Sequence, residues 1–291
     1  MASAEAGAQR VVPEGTEVLT ARTLRRERMV HRLKVWVLRI IVAGALILLW
    51  QSLPTLFPGR SSLADPFFIS SPELVADRLG GLLFGIDGAP TIWEPFNQTI
   101  LAAVIGSFGA AIVGAIGGLL LSEAPRVAQV AQPFLAFFNT IPRIAIIPII
   151  IIIFGTDAVG SAMLAFSVVV FLAFYTAFAG SRSISRELLQ NARILGASRF
   201  VILTRVRMPF VIGWTFGILP VAIASGLVGA VVGQVLTGAG GIGQLLVLAL
   251  NTSDATLTFS LVVFLAVVGV IITQLAYASR RLLLPWWEDA H

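Results

Sequence analysis

Side chains able to do chemistry are scarce in this chain, so the places where polar groups gather carry most of the information. There is no cysteine, which excludes disulfides, thiolate metal sites and thiol nucleophiles. The two histidines, His31 and His291, lie in polar tails. The densest polar feature is Gln190-Asn191-Ala192-Arg193-Ile194-Leu195-Gly196, followed after nine residues by Val206-Arg207-Met208-Pro209. Around it, Ile184, Leu188, Leu189, Ala192 and Leu195 recur at helical spacing and give a basic helix one apolar stripe. Gly196, where positive φ costs little, can end that helix and turn the chain. Ser198 is placed to cap a second short helix through Val201 and Leu203, and Pro209 to open the next apolar run. Such a surface makes and breaks no bonds. It suits docking of a soluble partner; the plainer alternative is a basic interfacial hairpin that only sets topology.

The elements that position this segment follow from composition. The chain is 57% hydrophobic and 12% charged over 291 residues, whereas a soluble domain keeps about a quarter of its residues charged. Lipid must therefore solvate most of it. Six runs are long enough to cross a hydrocarbon core: Val35–Leu53, Ile100–Leu121, Pro133–Phe154, Ala158–Ala179, Phe210–Leu236 and Leu257–Ala278. The expected fold is all-α, a six-span membrane domain over residues 35–281. A basic cytoplasmic tail, expected to be disordered, covers 1–34, and a cytoplasmic tail 282–291. The first run follows a largely polar tail of 34 residues and shows no clear small-x-small cleavage site, so it reads as a retained span.

With the N-terminus inside, 17 of the 20 basic residues face the cytoplasm, including Arg10 through Arg39 and the six arginines of the 182–208 loop. Only Arg60 and Arg78 fall in the outer segment 54–95. That bias satisfies the positive-inside rule, so the net charge of +5 is topological and no nucleic acid partner is implied. In the outer segment, Pro72 after Ser71 and apolar positions 74, 75, 79, 82 and 83 predict a short amphipathic helix on the surface.

Spans two to six contain no Asp, Glu, Lys or His, and Arg143 is their sole charge. An ion-driven carrier usually needs a carboxylate near the midplane, so energy is expected to enter from outside the membrane domain. Pro142 and Pro148 should kink span three by removing backbone hydrogen bonds. Asn139 and Arg143 flank that kink, and all four are candidates for lining a pathway, although Arg143 could equally snorkel to the inner interface. Gly238-Ala239-Gly240-Gly241-Ile242-Gly243 satisfies GxGxxG literally, yet it lies between two spans rather than in a soluble βαβ unit. A flexible outer loop is the expectation, not a nucleotide site. The pairs Gly114/Gly118, Gly213/Gly217 and Gly229/Gly233 allow close helix approach, mainly within the protomer.

The 190–209 segment resembles the EAA loop of ABC importer permeases, Glu-Ala-Ala, three residues, Gly, nine residues, Ile-x-Leu-Pro. Ala192 takes the second alanine, Gly196 the glycine, and Val206, Met208 and Pro209 the closing residues; Gln190 replaces the glutamate and Asn191 the first alanine. The resemblance implies that Gln190, Ala192, Gly196, Ala197, Val206, Met208 and Pro209 couple the chain to a separate ATPase subunit. Pro133-Phe134, Ile141 through Pro148 and Phe154-Gly155 resemble the permeases for sulfonates, taurine and nitrate. So do the Ser-Pro-Glu outer helix and the Gly-Ile-Gly after span five.

The chain is thus expected to be a permease of the bacterial inner membrane with both termini cytoplasmic. It would act as a homodimer with ABC ATPase subunits and an extracytoplasmic solute-binding protein, passing a small, anionic organic solute. No catalytic residue, metal or cofactor of its own is expected, and no GxxxxGK Walker sequence occurs. An ion-coupled secondary transporter is the alternative; an intramembrane enzyme is opposed by the scarcity of His, Asp and Glu at depth.

Overall fold

The structure, a computed structural model, describes residues 14–56, 69–86 and 90–283, and their regular elements are all helical. Residues 1–13 and 284–291, parts of the expected tails, lie outside the described residues. Helix α1 (Glu14–Leu56) belongs to one compact unit, Met1–Pro66, and the remaining helices to a second, Phe67–His291. The backbone of residues 14–34, expected from sequence to be disordered tail, is helical. Once the apolar run nucleates a helix, each residue added gains a hydrogen bond, and the Leu, Arg and Glu preceding the run are good helix formers. Within α1, Leu48 and Ile40 are 70% and 67% exposed, as expected of a face made for lipid or another chain.

The second unit begins with α2 (Pro72–Phe84), the expected surface helix. Ser71 caps it by accepting from Leu74 N at 3.4 Å, and Gly85 closes it in the left-handed region. Val75, Leu79, Leu82 and Leu83 face inward, but Leu74 stays 45% exposed. Then follow α3 (Trp93–Glu123), α4 (Pro125–Thr140), α5 (Arg143–Phe154), α6 (Ala158–Arg182), α7 (Arg186–Ile194) and α8 (Arg199–Val201). A π-helical turn (Ile202–Arg207) leads into α9 (Met208–Thr237), α10 (Ile242–Asn251) and α11 (Ala255–Leu283).

Five helical stretches can each cross a bilayer by length and hydropathy: Met29–Ser52, Trp93–Glu123, Ala158–Arg182, Arg199–Thr237 and Ala255–Arg280. The sixth is broken. Span three is not one kinked helix but α4 and α5, bent by 90°. The break falls at Ile141 and Pro142, both extended with ψ of 123°. Proline forces the residue before it out of the helical region and supplies no N–H, so position 142 ends the helix outright. Pro148, by contrast, sits inside α5 without interrupting it.

The core is built on α3, α6 and α9, and small residues decide its geometry. A Cβ on Gly114 would lie 2.7 Å from Ala173 Cβ, and one on Gly118 2.9 Å from Ala177 Cβ, so α3 and α6 touch nearly backbone to backbone. Gly229 and Gly233 bring α9 equally close to Ala165 and Leu164 of α6. These two pairs pack within the protomer. Gly213 is buried, but a Cβ on Gly217 would meet open space, so the third pair forms no seam here. Ile92, Ile242, Leu261 and Phe264 form a further cluster joining α2, α3, α10 and α11.

Candidate functional site

The basic loop leaves the bundle at the end of α6 and returns through α8. Ser185 caps α7, accepting from Leu188 N at 3.3 Å, with Glu187 in the first turn where the helix dipole favours it. No residue of α7 is buried. Of the apolar stripe expected from sequence, Ile184 is buried and Leu189 and Ala192 are intermediate. Leu188 is 43% and Leu195 86% exposed, beside Ile194 at 82% and Phe200 at 72%. The apolar side chains of this segment thus stay largely exposed and add little to the core of the bundle.

The turn after α7 explains the motif spacing. Gly196 has φ of +81°; its N–H donates to Arg193 O at 2.9 Å, and the Ala197 N–H to Ala192 O at 3.0 Å. That pair of bonds is a Schellman cap, with Gly196 as the left-handed residue and Ala192 one turn before it. Ala192, Gly196 and Ala197 are therefore one device that ends α7 and aims the chain into α8. Gln190 lies exposed on α7.

The second helix differs from expectation. Ser198 caps it, accepting from Val201 N at 3.3 Å, but it does not stop before Pro209. Arg199–Thr237 is one continuous helical stretch. A proline inside an α-helix clashes with the carbonyl four residues earlier. The preceding turn widens instead to a π turn, and Met208 N reaches Leu203 O five residues back. Val206 is intermediate and Met208 45% exposed, so the closing motif residues sit on the helix returning to the bundle, not on α7.

Sequence reasoning misses Arg207, whose side chain is only 13% exposed. Its Nη1 donates to Ser122 Oγ at 3.3 Å and Ser181 Oγ at 3.1 Å, and its Nε lies 2.6 Å from Glu123 Oε1. The available signal is an arginine at the mouth of one apolar run and a Ser-Glu pair at the end of another, though nothing in sequence pairs them.

At the helix break, Arg143 Nη2 donates to Asn139 Oδ1 at 3.1 Å, and its guanidinium lies 4.9 Å over the Phe171 ring. Phe171 is roughly 20 Å along α6 from Ala158 and roughly 16 Å from Arg182 at 1.5 Å per residue. Arg143 therefore lies beside the middle of α6, next to the extended 141–142 backbone at the break between α4 and α5. Among the described residues no carboxylate pairs with it.

The glycine-rich loop is packed, not loose. Gln234, 1% exposed, accepts through Oε1 from Thr99 Oγ1 at 2.9 Å and Gly243 N at 3.1 Å, and Thr99 Oγ1 accepts from Ile242 N at 2.9 Å. Gly241, at φ +126°, lies where a Cβ would run into the Gln234 amide. The loop follows a helix and folds onto buried side chains, so it has neither the strand nor the opening of a pyrophosphate site.

Residues 110–289 match the family described as the binding-protein-dependent transport system inner membrane component. Over 241 residues the chain is 31% identical to the riboflavin transport system permease protein of Chloroflexus aurantiacus, covering 83% of this chain and 87% of that one. It is 22% identical to the taurine transport system permease protein of Escherichia coli, over 86% and 89% of the two chains. In fold it resembles a chain of the MetNI methionine ABC transporter in an inward-facing conformation, with a TM-score of 0.56 at 19% identity, covering 63% of this chain and 92% of that chain. It also resembles a chain of a bacterial ABC transporter involved in import of the polysaccharide alginate, with a TM-score of 0.57 at 15% identity, covering 92% and 99%. With a family match across more than half its length and a helical, span-rich fold, the chain belongs to the binding-protein-dependent transport system inner membrane components, multi-pass permeases of ABC importers that are not themselves enzymes.

Proposed function

We propose that two copies of this chain form the translocation path of an importer, each docking one ATPase subunit through α7. The observation carrying this is the exposed apolar face of a capped helix that buries nothing in its own chain. Residues 182–208 and the tail after Arg280 face the cytoplasm and the ATPase. Residues 54–95 face outward toward a solute-binding protein. ATP is consumed on the partner subunit, and its energy arrives mechanically.

The solute we infer is a small anionic one of the sulfonate, taurine or nitrate type. Arg143, a guanidinium beside the middle of α6 that pairs with Asn139 and with no carboxylate among the described residues, supports an anion on the path. The 31% identity to a riboflavin permease favours a second reading, an uncharged heteroaromatic solute. Competition of unlabelled sulfonates and riboflavin against uptake by the assembled importer separates the two.

Docking is tested with Leu195→Cys, clean because the chain has no other cysteine. A short bifunctional crosslinker should join it to the ATPase subunit, in assemblies containing two copies of this chain. Absence of that product in an active complex refutes α7 as the docking element. A single copy beside a different permease refutes the homodimer alone.

A further inference from the structure

We propose that Arg207 is the positioning residue that transmits movement of the basic loop to α3 and α6, an inference that rests on the coupling reading above. One guanidinium joins by polar contacts three elements far apart in sequence, beside the apolar packing of Leu203 against Leu119 and Ala177. It stands at the end of the π turn, reaches Ser122 and Glu123 at the end of α3, and reaches Ser181 at the end of α6. The two serines, 7% and 1% exposed, lie 2.6 Å apart with their hydroxyls hydrogen-bonded to each other. The serine pair is buried and the guanidinium sheltered, while the Glu123 carboxylate, 32% exposed, closes the clasp from the surface side.

Electrostatics explains why an arginine holds it. Both α3 and α6 end here, and helix C-termini carry partial negative charge that favours a cation. Glu123 in the last turn of α3 is unfavourable by the same rule, so its carboxylate makes sense only as a partner for the cation. A guanidinium presents several donors in a fixed fork, serving the serine pair from Nη1 and facing the carboxylate from Nε, which an ammonium cannot copy. The other arginines between 182 and 205 are all exposed and make no such link among the described residues; Arg182 lies over Phe178 of its own helix.

The mechanical consequence follows from the continuity of Arg199–Thr237. A push on α7 and α8 reaches the π turn first, and π turns are rare, single-turn features that can shift register. Left free, the turn would absorb the displacement. Clasped at Arg207, it drags the ends of α3 and α6 with it, and the glycine-mediated contact between those helices carries the motion along the core.

The test is the number of ATP molecules hydrolysed per solute imported by the complete complex, reconstituted with its ATPase and binding protein. In Arg207→Gln and Glu123→Gln, uptake should fall about tenfold or more while hydrolysis and ATPase retention persist, the scale expected for losing a charge-assisted contact. Arg207→Lys should fall between, and Arg207→Glu combined with Glu123→Arg should recover part of the ratio. An unchanged ratio in every variant that assembles overturns the proposal. Should Arg207→Gln fail to assemble, Glu123→Gln and Ser181→Ala, which keep the guanidinium, are measured for the same ratio: a raised ratio supports the clasp and an unchanged one overturns it. Failure of the coupling reading is distinct: the parent protein itself would then give no Leu195→Cys crosslink to the ATPase.

Discussion

Valine at position 196 is expected to abolish uptake while leaving the membrane helices folded. Gly196 sits at φ +81° with nothing within 4 Å of where a Cβ would stand, so the penalty is backbone strain and not a clash. A non-glycine residue in the left-handed region costs about 1–2 kcal/mol, with β-branching at the upper end. The alternative is to rotate φ to a negative value and lose the bonds from Gly196 N to Arg193 O and from Ala197 N to Ala192 O. At about 0.5–1.5 kcal/mol each, that route costs about the same. Because none of the nine residues of α7 is buried, little packing among the described residues opposes a change at the turn. A penalty of about 2 kcal/mol shifts a population roughly 30-fold, enough to misdirect α8 relative to α7. The core, built on α3, α6 and α9, does not touch this position. Three measurements on one variant decide: membrane expression, ATPase copurification and solute uptake. Gly196→Asn is the control, since asparagine visits the left-handed region and should keep most activity. Normal uptake at normal expression in Gly196→Val would refute the turn's role in coupling. Equal loss in Gly196→Asn would show that a side chain of any kind is excluded, pointing to close contact with the partner rather than to φ.

Ser198→Cys should resist an impermeant thiol reagent in intact cells and react in inverted vesicles; labelling from outside would reverse the assigned topology. Gly114→Val should abolish membrane expression, because its Cβ would stand 2.7 Å from Ala173 Cβ and 2.8 Å from Phe174 N. Forcing α3 from α6 costs at least the roughly 1–3 kcal/mol of ordinary overpacking, and full expression at wild-type thermal stability would contradict the close packing described here.

What could be read in the chain alone were features whose cause is local. Hydropathy marked every run that the structure makes membrane-long, since lipid selects on composition over about 20 residues. Ser71 and Pro72 marked the start of α2 and Gly196 the turn after α7, because caps and positive φ are set by one or two residues. Pairing across the fold could not be read in this way. The 90° break at Pro142 looked like a kink, since local rules say that proline disrupts but not where the chain goes next. Pro209 looked like a boundary, whereas packing of the returning helix keeps Arg199–Thr237 continuous through a π turn. The loop at Gly238–Gly243 looked flexible until Thr99 was brought from α3 onto it and onto Gln234 in the last turn of α9. Arg207 counted in sequence as one more positive charge inside. Its partners lie 85 and 26 positions away, and only the tertiary structure, by bringing the ends of α3 and α6 together, gave it something to hold.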